Sequence, residues 1–243
     1  MKRILFVCFA LVLFAANTWA QKEKPWTEWS EKDAVKVMTD SAWAQSQTES
    51  TEAPAAGSTI TPKQPRNLSS TGSAEQTESG ETLGKRNAAL SANYHVAFLT
   101  AKPVRQAFVR YLELKTPEMP ADKAAERRAF IDRDLGDYIV VTLKLDGNDQ
   151  KKLGPAIQLL SGDPKAFKDT AYLERKDGKR VSLLDYRVPD QFGAKFIFPR
   201  TLEGKPFLDA SSGEVRVYLE IGKTKLSRRF KVADMMYNGK LEY

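Results

Sequence analysis

Cysteine and histidine occur once each in the 243 residues, and that scarcity closes much of the catalytic repertoire before any motif is sought. The lone cysteine, Cys8, lies inside an N-terminal apolar run and would leave with it. What remains can offer no disulfide, no thiol nucleophile and no thiolate metal site. Metal sites built on two imidazoles are closed as well, because His95 stands alone. A Ser-His-Asp triad would have to use His95, yet no G-x-S-x-G nucleophile elbow flanks it, so it reads as a structural or surface histidine. Neither G-x-x-x-x-G-K-[ST] nor G-x-G-x-x-G occurs, which leaves phosphate-cradling loops without support. No catalytic, cofactor-binding or metal-ligating residue is therefore assigned, and no cofactor is expected.

Long hydrophobic runs are also scarce. The one candidate is the 13-residue stretch Ile4–Ala16, preceded by Lys2 and Arg3 and followed by Thr18-Trp19-Ala20. A spanning helix needs about 20 apolar residues, so the run is too short to be one. Basic flank, short apolar core and small-x-small exit describe a cleavable secretory signal over residues 1–20. Cleavage between Ala20 and Gln21 and a secreted or periplasmic destination follow as expectations, with no transmembrane anchor afterwards.

Beyond the signal, three zones differ in composition. Residues 21–45 hold three tryptophans, Trp26, Trp29 and Trp43. Within them, Ser30 and Asp33 sit at capping-box spacing ahead of Ala34, Val37, Met38 and Ala42, which predicts an amphipathic helix over about Glu31 to Thr39. Such bulky indoles need a surface: their own domain, a partner protein or a membrane. Residues 46–89 are rich in Ser, Thr, Gly, Pro, Glu and Gln, a composition that cannot offset the entropy of ordering, and read as a disordered linker.

Residues 90–243 read as one mainly β, α+β domain. Tyr94, Val96 and Phe98 alternate with His95, Ala97 and Leu99 as in a strand. Pro103 then opens a helical stripe of Val104, Ala107, Phe108, Tyr111 and Leu112, with a strand over Ala107 to Leu114 as the alternative. Ala121 to Asp134 predicts a second helix ending near Gly136. Beyond it, strand patterns run from Asp137 to Leu145, through a hairpin at Asp177-Gly178, and over Ala194 to Pro199. Glu214 to Ile221 and Lys225 to Val232 follow, then a turn at Asn238-Gly239. About seven strands at hairpin spacing, with a helical insertion after the first, predict an antiparallel β-sandwich-like domain.

Several short patches resemble a known group. Trp26-x-x-Trp29-Ser30 followed by Ser41-Ala42-Trp43-Ala44 resembles the segment after the signal peptide in a group of uncharacterised secreted bacterial proteins. Pro103-Val104-Arg105-x-Ala107, Phe198-Pro199-Arg200 and the closing Met236-Tyr237-Asn238-Gly239-Lys240-Leu241-Glu242-Tyr243 are similar to patterns in that group. Its members often carry proline where this chain has Ala42. The resemblance implies a bacterial envelope setting and brings no activity or site residues.

Charge is distributed unevenly. Residues 21–90 hold 8 basic against 10 acidic side chains, whereas residues 91–243 hold 28 against 21. Alternation places Arg216 and Tyr218 on one sheet face with Lys225, Arg229 and Lys231, and that face is a candidate for binding an anionic polymer. Arg228 points inward with Leu226 and Phe230, which predicts a position at a sheet edge or opposite a carboxylate. One tyrosine is a poor stacking platform, so nucleic acid is not expected. Asp132, Asp134 and Asp137 read as solvated charge at a helix end and turn, and Asp146-Gly147-Asn148-Asp149 fails the EF-hand pattern and reads as a turn. The expected role is a non-enzymatic interaction or envelope module whose Trp26, Trp29 and Trp43 meet a protein or other envelope component. A hydrolase of carbohydrate or peptidoglycan using two carboxylates is the alternative.

Overall fold

The structure, a computed structural model, describes residues 24–51 and 89–243. The export signal, its cleavage site and residues 52–88 of the expected linker lie outside the described residues.

Local chemistry sets the first elements. A 3-10 turn over Trp26–Glu28 leads to helix α1, Glu31–Thr39, closed by the expected capping box. The Ser30 hydroxyl accepts the Asp33 amide at 3.2 Å and the Asp33 carboxylate accepts the Ser30 amide at 2.9 Å. Strand β1, Ala44–Thr51, follows at once. The stretch Ser46–Thr51, expected above to open a disordered linker, is thus an ordered edge strand. Its Ser, Gln, Thr and Glu side chains need no apolar core, because a neighbouring strand supplies the backbone hydrogen bonds. That neighbour is β2, Leu90–Phe98, paired antiparallel from Ala44↔Ala97 to Thr51↔Leu90.

Helices α2, Lys102–Lys115, and α3, Ala121–Ala129, come next. Pro103 sits in the first turn of α2, where its missing N–H costs nothing. This removes the strand alternative for Ala107 to Leu114, and α3 stops five residues short of the expected Asp134. Strand β3, Tyr138–Gly147, ends on a glycine with φ +128, where a Cβ would lie 2.2 Å from the Ser91 carbonyl. The chain then forms a helix that the sequence reading lacked: α4, Gln150–Leu160, N-capped by Asp149, so Asp146 to Asp149 is more than a turn. Its Leu153, Ala156 and Leu160 are buried.

Strands β4, Ala171–Arg175, and β5, Arg180–Ser182, form the hairpin expected at Asp177-Gly178. Its second arm stops at Ser182. At Leu184, whose amide donates to the Ile197 carbonyl at 2.8 Å, the chain leaves one sheet for the other as β6, Asp185–Asp190. Strands β7, Gly193–Pro199, β8, Thr201–Leu202, and β9, Lys205–Pro206, precede the long hairpin β10, Glu214–Ile221, and β11, Thr224–Lys231. The short ribbon β12, Met236–Tyr237, and β13, Lys240–Leu241, turns on Asn238 and Gly239, both at positive φ as a two-residue hairpin requires.

The architecture is mainly antiparallel β with four described helices. A five-stranded sheet runs β1-β2-β3-β7-β6 and a four-stranded sheet runs β11-β10-β4-β5. Their inner faces make one core, with Tyr94, Val96 and Phe98 on one side and Val217, Leu226 and Phe230 on the other. Phe98 and Phe230 meet edge to face at 5.0 Å. Removing either ring would cost about 3–5 kcal/mol. A third layer lies outside the five-stranded sheet: α1 packs on α2 and on β2. That layer creates the clefts described next.

Candidate functional site

Register brings the only histidine to a serine and an aspartate. On the outer face of the five-stranded sheet, Ser46, His95 and Lys144 form one cross-strand row, and Thr48, Asn93 and Asp146 the next. His95 Nδ1 lies 2.6 Å from Ser46 Oγ and its Nε2 lies 2.8 Å from Asp146 Oδ2. Asn93 donates to Asp146 at 2.7 Å, and Thr48 donates to Asn93 at 2.8 Å. Burial pushes the Asp146 carboxyl up, but the hydrogen bonds from Asn93 and His95, with the nearby His95 and Lys144 charges, outweigh it and hold the group below its usual range. Sequence reasoning missed this array, because its members come from three strands and no local motif joins them.

Its geometry is that of a clasp. Ser46 Oγ donates to the Thr39 carbonyl at 2.8 Å, so the hydroxyl ties the last residue of α1 to the sheet. A serine nucleophile needs its oxygen open to substrate and amide donors where an oxyanion would form. Here a carbonyl oxygen faces the hydroxyl, and Ser46 does not border the adjoining cleft.

That cleft, of about 180 Å³, lies between α1, α2 and the sheet. Met38, Leu99, Val104 and Phe108 form apolar walls, and His95, Lys144 and Asp146 close one end. Phe192, in the β6–β7 turn, forms a partition: its ring centroid is 4.1 Å from that of Phe108 and 4.9 Å from that of Phe130. On its far side a wider groove of about 700 Å³ opens between α2 and α3. Gln191, Phe192 and Phe108 border both. Phe108 was legible in the helical stripe; Phe130 and Phe192 lacked any sequence signal of proximity.

The three tryptophans lie against their own chain. Trp43 donates its indole N–H to the Glu242 carbonyl at 2.9 Å and meets Tyr237 edge-on at 6.1 Å. Trp29 donates to the Lys24 carbonyl, and its own carbonyl accepts Arg110 at 2.8 Å. Trp26 is half-buried in the 3-10 turn.

Of the four basic residues expected on one sheet face, Arg216 and Lys225 are paired with carboxylates. Arg216 and Arg180 both bind Glu174, at 2.7 and 2.6 Å, and Lys225 lies 3.6 Å from Glu220. The Arg216 hydrogen bond, opposed by burial and reinforced by Arg180, holds the Glu174 carboxyl below its usual range. Tyr218 donates to Glu220 and stacks on Tyr172 at 4.7 Å, while the Arg180 guanidinium lies over the Tyr172 ring at 4.4 Å. The tyrosine faces are thus turned on each other. Arg229 and Lys231 are exposed and have no ion pair among the described residues.

Among the described residues no group of three or more His, Cys, Asp or Glu side chains could hold a metal ion, and no helix is long and apolar enough to cross a membrane. No family model and no curated protein matches the sequence. A solved structure described as a novel protein of unknown function from Burkholderia pseudomallei K96243 is similar over 56% of this chain and 72% of that one, at 13% identity and a TM-score of 0.37.

Proposed function

We propose that the chain is an exported, non-enzymatic ligand-binding module of the bacterial envelope, and that it binds at the two clefts flanking Phe192. The observation that carries this reading is an aromatic-partitioned apolar cleft, beside which Ser46 faces α1 instead of the cavity. Apolar walls with a few convergent polar groups are the usual anatomy of a small-ligand site. Export rests on the Lys2-Arg3 flank, the short apolar run and Thr18-Trp19-Ala20.

A carboxylate hydrolase needs one acid held protonated near neutrality. The described carboxyls displaced from their ordinary range, Asp33, Asp146, Glu174, Asp177 and Asp209, all move downward. The three acids that line one shallow depression are each engaged there: Asp132 pairs with Lys102 at 2.6 Å, Asp134 accepts the Gly136 amide at 2.8 Å, and Glu242 accepts the Lys102 amide at the start of α2.

A screen of small apolar fragments by amide chemical-shift mapping tests the site. Shifts should gather on residues 104–112 and 191–195. Shifts gathering on Tyr172 and Tyr218 instead, or turnover of peptidoglycan or an ester by the purified protein, would overturn the reading.

A further inference from the structure

The groove between α2 and α3 has two features that specify a ligand class. The first is a wall that makes few contacts of its own. Helix α3 contains no buried residue, and its Ala- and Arg-rich sequence sustains a helix by propensity. The face it turns to α2 leaves about 700 Å³ open, within the range of small-ligand pockets. Leu112, Met119, Phe130 and Phe192 give the groove an apolar floor.

The second feature is the charge at the rim. Lys123 is matched by Glu126 at 3.1 Å. Arg127 and Arg133 are not matched. Arg127 donates to the neutral Thr116 hydroxyl at 3.1 Å, and the Arg133 side chain has no hydrogen bond or ion pair among the described residues. Two guanidinium groups without carboxylate partners thus border an apolar trough. Arginine presents a planar fork of donors suited to a carboxylate or phosphate.

We propose that this groove binds an anionic amphiphile, with an acyl chain along the floor and a carboxylate or phosphate head at Arg127 and Arg133. The inference rests on the binding-module reading and names its ligand. Phe192 stops the tail, since its ring separates the groove from the cavity of about 180 Å³ beyond. The partition therefore sets the chain length accepted.

The test is calorimetric titration of the purified full chain at low salt, with palmitate, lysophosphatidate, palmityl alcohol and acetate, each below its aggregation threshold. Palmitate or lysophosphatidate should bind, and the tighter of the two identifies the head group. Palmityl alcohol should bind about tenfold more weakly, and acetate not at all. The double variant Arg127→Gln/Arg133→Gln should lose about tenfold in affinity for the charged ligand and keep that for the alcohol, as one half-buried and one exposed charge allow. Raised salt should mimic it. Ala129→Trp, at an exposed position on the groove wall, should block every amphiphile with the circular dichroism spectrum unchanged. Phe192→Ala should shift preference to longer chains. Equal binding of palmitate and its alcohol, with the double variant silent, overturns head-group recognition and leaves the apolar site standing. Acetate binding as well as palmitate overturns the acyl assignment. If no amphiphile binds while apolar fragments still shift residues 191–195, the ligand class is wrong and the module survives; if neither binds, both readings fail.

Discussion

At the scale of single residues, Tyr186 and Glu174 carry pH dependences of opposite sign. Tyr186 is buried, and its hydroxyl donates to the Leu160 carbonyl at the end of α4 at 2.5 Å. Burial pushes the phenol up to about 12, from an ordinary 10.0. The folded state thus holds the proton more tightly than the unfolded chain. Its stabilising effect is complete below pH 10.0 and is lost as pH rises towards 12. Tyr186→Phe should cost about 1–2 kcal/mol near neutrality by leaving that carbonyl without its donor. In urea titrations the gap to wild type should then close in alkali. Glu174 behaves in the reverse sense. Its depressed carboxyl stabilises above the ordinary 4.5, and the benefit disappears as pH falls through the lower folded value. Glu174→Gln should cost up to about 1 kcal/mol at pH 7 and nothing in strong acid. Alternation alone indicated that Arg228 turns inward, and it does lie at a sheet edge, donating to the Ser46 carbonyl, with its buried Nε unpaired among the described residues. The Glu174–Arg216 pair was not legible, because Arg216 stands 42 residues away and meets Glu174 only through β4–β10 register.

At the scale of elements, legibility followed amphipathic pattern. Helix α1 has the predicted bounds because a capping box and a 3.6-residue period agree. Helix α4 was missed because Gly154 and Pro155 interrupt it, and both read as breakers. Pro155 stands at the sixth helical position, in the second turn, where its missing N–H forgoes one intrahelical bond, to the Lys151 carbonyl. Strand β1 was missed for the opposite reason: it is polar on both faces. Its inward Gln45 and Gln47 bind the Arg229 and Lys225 carbonyls, at 2.6 and 3.4 Å, so amide side chains span the seam between the sheets. The Ser46 carbonyl faces β11, which by alternation turns the Gln47 amide towards β2. Gln47→Pro should remove that ladder bond and cost about 2 kcal/mol or more. Amide exchange across β1 should accelerate. An unchanged urea midpoint would mean that this segment contributes no strand.

At the scale of the whole molecule, the compositional zones of the sequence do not coincide with the units of the fold. Tryptophan-rich arm and β-rich domain looked separable because a low-complexity stretch divides them. Yet β1 completes the five-stranded sheet, α1 forms one wall of the smaller cleft, and Trp43 binds the Glu242 carbonyl 199 residues along the chain. Cohesion in this cysteine-poor chain therefore depends on contacts distant in sequence, which no local pattern reveals. A fragment of residues 90–243 would lose an edge strand from the core and uncover Leu99, Val104 and Phe108, the apolar walls of the cleft. It should melt at least several degrees below the full chain, since about 1 kcal/mol moves the midpoint by roughly 2–4 °C at this size. It should also bind an apolar dye that the full chain ignores, and adding a peptide of residues 24–51 should reverse both effects. The contrary result, equal midpoints and no dye binding, would show that the arm is an accessory. The smaller cleft beside Phe192 would then have to be complete without α1 as one of its walls.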